Sequence, residues 1–175
     1  AGMVTLDGGD KVRILRTANR ATVRLDGLTF QHGNSRNIEG QAEADGSGGA
    51  VHRGWQGRLY IQDCTFADNQ ADAGKGFGGG AIATASSGWT TIVHSTFKEN
   101  ASPFGGAVYS VLSDLTVIDS RFVSNRATQS DGGAIFTDGG YVPPSTEHGT
   151  YGGSIQLCGS QFIENTAPSS SAAGF

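Results

Sequence analysis

A chain of 175 residues with 28 glycines, 4 prolines and 16% charged side chains turns often, yet lacks the composition of a disordered linker. Its formal net charge of −4 argues against nucleic acid as a partner, and no apolar run reaches the ~18 residues of a membrane-spanning helix. Two cysteines are too few to staple a chain whose length fits one domain, residues 1–175, with a modest core.

In chain order, Ala1–Leu6 reads as part of a strand. Val23 and Leu25 then flank Arg24 in the period-two alternation of a strand with one buried face. Phe30-Gln31-His32-Gly33-Asn34 is a degenerate form of a motif that becomes regular further on. Gly48–Val51 reads Gly-Gly-Ala-Val, Leu59 and Ile61 alternate around Tyr60, and Phe66–Asn69 reads Phe-x-x-Asn. The same three signals return as Gly79–Ile82, Thr90 with Ile92, and Phe97–Asn100. They return again as Gly105–Val108, Leu115 with Val117, and Phe122–Asn125, and last as Gly132–Ile135, Ile155 with Leu157, and Phe162–Asn165. From first glycine to phenylalanine the separation is 18 residues in the first two copies, 17 in the third and 30 in the fourth. The excess places an insertion at residues 139–152, expected to project as a loop between the halves of one coil and to suit recognition of a partner.

Repeats this short cannot hold a crossover helix between parallel strands. The economical architecture is all-β, a solenoid in which each repeat is one coil stacked on the last at about 4.8 Å. Stacking predicts an internal ladder of Phe30, Phe66, Phe97, Phe122 and Phe162. It also predicts a ladder of Asn69, Asn100, Asn125 and Asn165 along one turn. The glycine pairs permit backbone angles and close coil approach that a Cβ would obstruct. The column Val51, Ile82, Val108, Ile135 is read as inward, with Ala50, Ala81, Ala107 and Ala134 as the alternative set.

These paired motifs resemble the polymorphic outer membrane protein repeat of bacterial surface proteins, over about residues 4–165. The resemblance implies a right-handed parallel β-helix, here of five to six coils, in an extracellular or cell-surface protein, often adhesive. It implies no catalytic residues.

Enzymes with β-helical folds need clustered carboxylates. The column three residues before each phenylalanine reads Gly27, Asp63, His94, Asp119, Gly159. Asp63, His94 and Asp119 are therefore the one candidate catalytic constellation, weighed against a role in capping the bend. His32, His52, His94 and His148 show no ligand spacing, so no metal and no cofactor are expected. Cys64 falls on the inward side, where Ser95, Ser120 and Ser160 replace it in other coils. Cys158 falls in an outward column with Gln62, Val93 and Ile118, roughly 14 Å from Cys64 at the coil spacing and beyond disulfide reach. Trp55 and Trp89 adjoin glycines and are read as folded over corners, with sugar or protein contact as the alternative.

Residues 1–36 carry six Lys or Arg against three Asp, and residues 37–175 six against thirteen acidic side chains. In a solenoid this becomes an axial gradient favouring head-to-tail contact. The residues thus predict a non-enzymatic structural or adhesive segment of a longer chain. Its expected partners are proteins or further copies at the coil ends, and carbohydrate. The alternatives are a polysaccharide lyase or hydrolase and an assembly subunit stacking end to end.

Overall fold

The computed structural model describes residues 4–36, 47–71, 78–84, 86–138 and 153–168. The described chain is all-β. It visits three parallel sheets in strict rotation. The first sheet has six strands, Val4–Asp7, Leu28–Gln31, Thr65–Ala67, Thr96–Lys98, Arg121–Val123 and Gln161–Ile163. The second comprises Leu15–Arg16, Val51–Arg53, Ile82–Thr84, Val108–Val111 and Ile135–Asp138, and the third Thr22–Asp26, Arg58–Gln62, Trp89–Val93, Asp114–Ile118 and Ile155–Cys158. A minor pair, Ala101–Ser102 with Arg126–Ala127, joins neighbouring rungs after the first sheet. This arrangement is compatible with a β-solenoid. Among the described residues no helix is long and apolar enough to cross a membrane.

Register follows the motifs. Phe30, Phe66, Phe97, Phe122 and Phe162 pair in consecutive order across the first sheet. Their rings stack with centroids 4.7–4.9 Å apart and planes within 6° of parallel. That spacing is the strand separation itself, so the backbone ladder dictates the ring geometry. The first four rings are fully buried, each burial contributing roughly 2–3 kcal/mol. Phe162 is half-buried, because the described chain places no further ring beyond it.

The Gly-Gly-Ala motif marks the entry to the second sheet. Its first glycine adopts a left-handed backbone, φ +78° at Gly79, which β-carbon residues rarely take. Its second glycine serves another purpose: a Cβ on Gly80 would collide with the carbonyl of Gly106 on the next rung. The alanine and the residue after it are both buried in all four copies and share one core. Both proposed inward sets therefore face the interior. The alanine precedes the strand, at the corner, and so escapes strand alternation.

Arg53 is fully buried at the end of its strand, where Nη1 donates to the carbonyls of Gly57 (3.0 Å) and Ser87 (2.7 Å) and Nη2 to Ser113 Oγ (2.6 Å). One guanidinium thus ties three rungs together. Desolvation lowers its pKa to about 10, leaving it charged at neutral pH. The insertion expected at 139–152 lies outside the described residues, but the chain re-enters register after it, with Ile155 opposite Leu115.

Candidate functional site

Corner after corner of the described chain turns through a left-handed residue. Between the third and first sheets that column is Gly27, Asp63, His94, Asp119 and Gly159, with φ between 46° and 64°. Asp and His tolerate this conformation better than most residues because their short polar side chains accommodate the local backbone. Backbone geometry therefore accounts for the residue types at Asp63, His94 and Asp119.

The three side chains do come together. His94 Nδ1 lies 3.8 Å from Asp63 Oδ1 and Nε2 lies 3.6 Å from Asp119 Oδ2, contacts longer than a hydrogen bond. Each side chain is more than half exposed on a convex corner. The imidazole occupies the space between the two carboxylates, where a bond undergoing acid/base cleavage would have to lie. As it stands the column is a solvent-exposed polar ladder, of a kind worth little in water.

A second polar column escapes reading by motif alone. Two residues after each phenylalanine stand His32, Asp68, Glu99, Ser124 and Glu164, all left-handed with φ of 50° to 57°. The signal was present in the alignment of the phenylalanines. At its first member, His32 Nδ1 lies 3.1 Å from Asp7 Oδ2. Hydrogen bonds from Gln31 foremost, then from Gly9 and His32, lower the Asp7 pKa to about 2, and the Asp7 carboxylate in turn raises that of His32.

On the outer face of the third sheet, Thr22, Arg58, Trp89 and Asp114 form one column and Arg24, Tyr60, Thr91, Thr116 and Gln156 the next. Trp89 stands in a strand and is 48% exposed, correcting its expected corner position; Tyr60 is 42% exposed. Trp55 does sit at the corner between the second and third sheets, half-buried. Arg58 lies over the Trp89 ring at 4.8 Å and Arg20 over Trp55 at 5.2 Å.

The outer side of the second sheet is largely closed. His52 there is 4% exposed, and Nδ1 meets no hydrogen-bond partner among the described residues. Desolvation foremost, then the charges of Arg13, Arg16 and Arg53, lower its pKa to about 4. An open cavity of about 210 Å³ adjoins Ile135, Phe136, Ile155 and Leu157 at the last rung. Cys64 is buried and Cys158 exposed, and neither is disulfide-bonded; burial pushes the Cys64 thiol pKa up. Cys158 continues the outward column of Gln62, Val93 and Ile118 as its spacing indicates. Among the described residues no group of three or more His, Cys, Asp or Glu is placed to hold a metal ion. Comparison with protein-family models, curated proteins and solved structures found no match to this chain.

Proposed function

We propose that this chain is a non-enzymatic structural and adhesive segment of an extracellular or cell-surface bacterial protein. Its fold would be a right-handed parallel β-helix of five to six coils, of the polymorphic outer membrane protein repeat type. The observation that carries the reading is where the repeated residues are spent. Phenylalanine, asparagine and glycine columns all serve stacking and backbone satisfaction, while on the third sheet the residues that vary between rungs face outward. A scaffold that displays variable faces on a constant interior suits contact with a surface better than turnover.

Two measurements test it. Purified chain incubated with polyuronate and neutral polysaccharides should release neither new reducing ends nor unsaturated products; release abolished by Asp119→Asn would establish the lyase or hydrolase alternative. Antibody labelling of intact source cells should match that of permeabilised cells, and labelling only after permeabilisation would refute surface display.

One feature favours assembly through the stack ends as a second reading. Leu6 at the first rung, and Ile155 and Leu157 at the last, stand in inward columns yet are 37%, 41% and 40% exposed. Proteins seldom leave such edges uncovered. With the positive balance at one end and the negative at the other, a second copy would be drawn there. Self-association measured by light scattering should weaken as salt rises. A concentration-independent monomer at low salt would exclude the second-copy form.

A further inference from the structure

Three arginine–aromatic pairs share one region of the molecule, at the third sheet and its adjoining corner. Arg20 covers Trp55 at 5.2 Å, and Arg58 covers Trp89 at 4.8 Å. Arg24 stands directly opposite Tyr60 in the register. In each pair the arginine sits one rung before its aromatic. Tyr60 and Trp89 are among the most exposed large apolar side chains described, and Arg20, Arg24 and Arg58 are all exposed.

Among the described residues, only Arg24 of these three cations is paired with a carboxylate. Arg20 donates Nε to Gln56 Oε1 at 3.0 Å, a neutral partner, and among the described residues Arg58 makes no ion pair. Arg24 is shared between Asp26 Oδ2 (3.0 Å) and Gln62 Oε1 (2.8 Å). Three arginines against Asp26 give the patch a local excess of positive charge in a chain of net charge −4. Asp114, next in the Trp89 column, bounds the patch and is held by Ser154 Oγ at 2.7 Å.

From this we infer that the third-sheet face binds an anionic polysaccharide. The face is the outer side of a five-stranded sheet on which Tyr60 and Trp89 stand exposed, which suits an extended polymer and not an enclosed small molecule. Pyranose rings present C–H faces that pack on Trp89 and Tyr60. Their carboxylate or sulfate groups accept paired N–H bonds from guanidinium groups, of which those of Arg20 and Arg58 lie against rings. Tyr60 and Trp89 stand on adjacent rungs in neighbouring outward columns, so an extended polymer crossing the face diagonally meets both rings. Single-stranded nucleic acid would also use aromatics and arginines, and tighter binding to it is one of the outcomes that would overturn the inference. The inference deepens the adhesive reading and rests on it.

The test measures retention of the full chain on immobilised heparin, polygalacturonate and neutral dextran at low and high salt. Retention on one or both anionic polymers and none on dextran is expected, weakening as salt rises. Arg58→Ala and Trp89→Ala should each weaken that binding by about tenfold. The double variant Lys98→Ala, Arg121→Ala, on the first-sheet face, should bind as the parent. Circular dichroism confirms that each variant folds, and exposed positions give no reason for it not to. Equal retention on dextran, parent-like binding by both third-sheet variants, or tighter binding to single-stranded DNA would overturn the inference and leave the adhesive reading standing. Degradation of a retained glycan would instead overturn the non-enzymatic reading and leave the binding face intact.

Discussion

Asn125 Oδ1 accepts two hydrogen bonds from Asn100, one from its backbone N–H at 3.1 Å and one from its Nδ2 at 2.9 Å. The remaining Asn100 amide proton goes to the carbonyl of Phe66 at 3.1 Å, and Asn100 Oδ1 accepts the matching pair from Asn69. All four hydrogen-bonding positions of a fully buried amide are thereby filled. Asn125 Nδ2 likewise reaches the carbonyl of Phe97 at 3.0 Å, which joins the asparagine ladder to the phenylalanine ladder at each rung.

Removing one member should therefore cost more than one bond. Asn100→Ala strands the donors of Asn69 and the carbonyl of Phe66 in the interior, and should destabilise by about 3 kcal/mol or more. Urea denaturation followed by circular dichroism would show it. A loss under 1 kcal/mol would mean that neighbouring groups or water replace the amide.

Phe97 lies between rings at 4.8 and 4.7 Å and is fully buried. Phe97→Ala should cost about 3–5 kcal/mol. Phe162→Ala should cost clearly less, since that ring meets a neighbour on one side and is half-buried. Equal losses in the two variants would contradict a stack whose interior differs from its end.

His52 should make the chain acid-sensitive. Its folded pKa of about 4 lies below the ordinary 6.5, so between those values the unfolded chain takes up a proton that the folded chain refuses. Stability attributable to His52 is then whole above pH 6.5 and lost progressively down to pH 4, by roughly 3 kcal/mol. Leucine at this position does not titrate. The stability difference between His52→Leu and the parent, followed from pH 7 to 4, should shift in the variant's favour.

The exposed pair Asp7 and His32 runs in both directions. The raised pKa of His32 supplies stability below pH 6.5 that disappears as pH climbs through its folded value. The lowered pKa of Asp7 supplies stability above pH 3.8 that disappears as pH falls toward 2. The pair therefore acts between about pH 4 and 6.5, and its surface position keeps the effect small. A proton NMR titration should place the His32 midpoint above 6.5 and bring it down in Asp7→Asn. An unchanged midpoint would show that Asp7 does not hold the ring.

Much of this architecture is written in the spacing of a few residues. Phe66, Phe97 and Phe122 recur at nearly constant separation from the Gly-Gly-Ala motif, and stacked strands admit one register that keeps all of them inside. The asparagine ladder and the outward column ending in Cys158 follow from the same alignment. So does the approach of Asp63, His94 and Asp119, since residues aligned on adjacent rungs must meet.

What each of those residues does was settled only by three-dimensional contacts. Ser95 and Ser120 look like small fillers in the sequence, yet Ser95 Oγ accepts from the Cys64 N–H and Ser120 Oγ from the Ser95 N–H, both at 3.1 Å. Arg53, a charged residue in a strand, gives no sign of being fully buried, because its partners come from segments 34 and 60 residues further along the chain. The degenerate Phe30 copy places Gly33, not Asn34, in line with the asparagines, and its N–H caps Asn69 Oδ1 at 2.8 Å. Side-chain type and spacing determine which residues share a level and a face. Hydrogen bonding, burial and the meeting of cations with rings depend on where corners bend, and those angles arise from packing of whole rungs rather than from any local run of sequence.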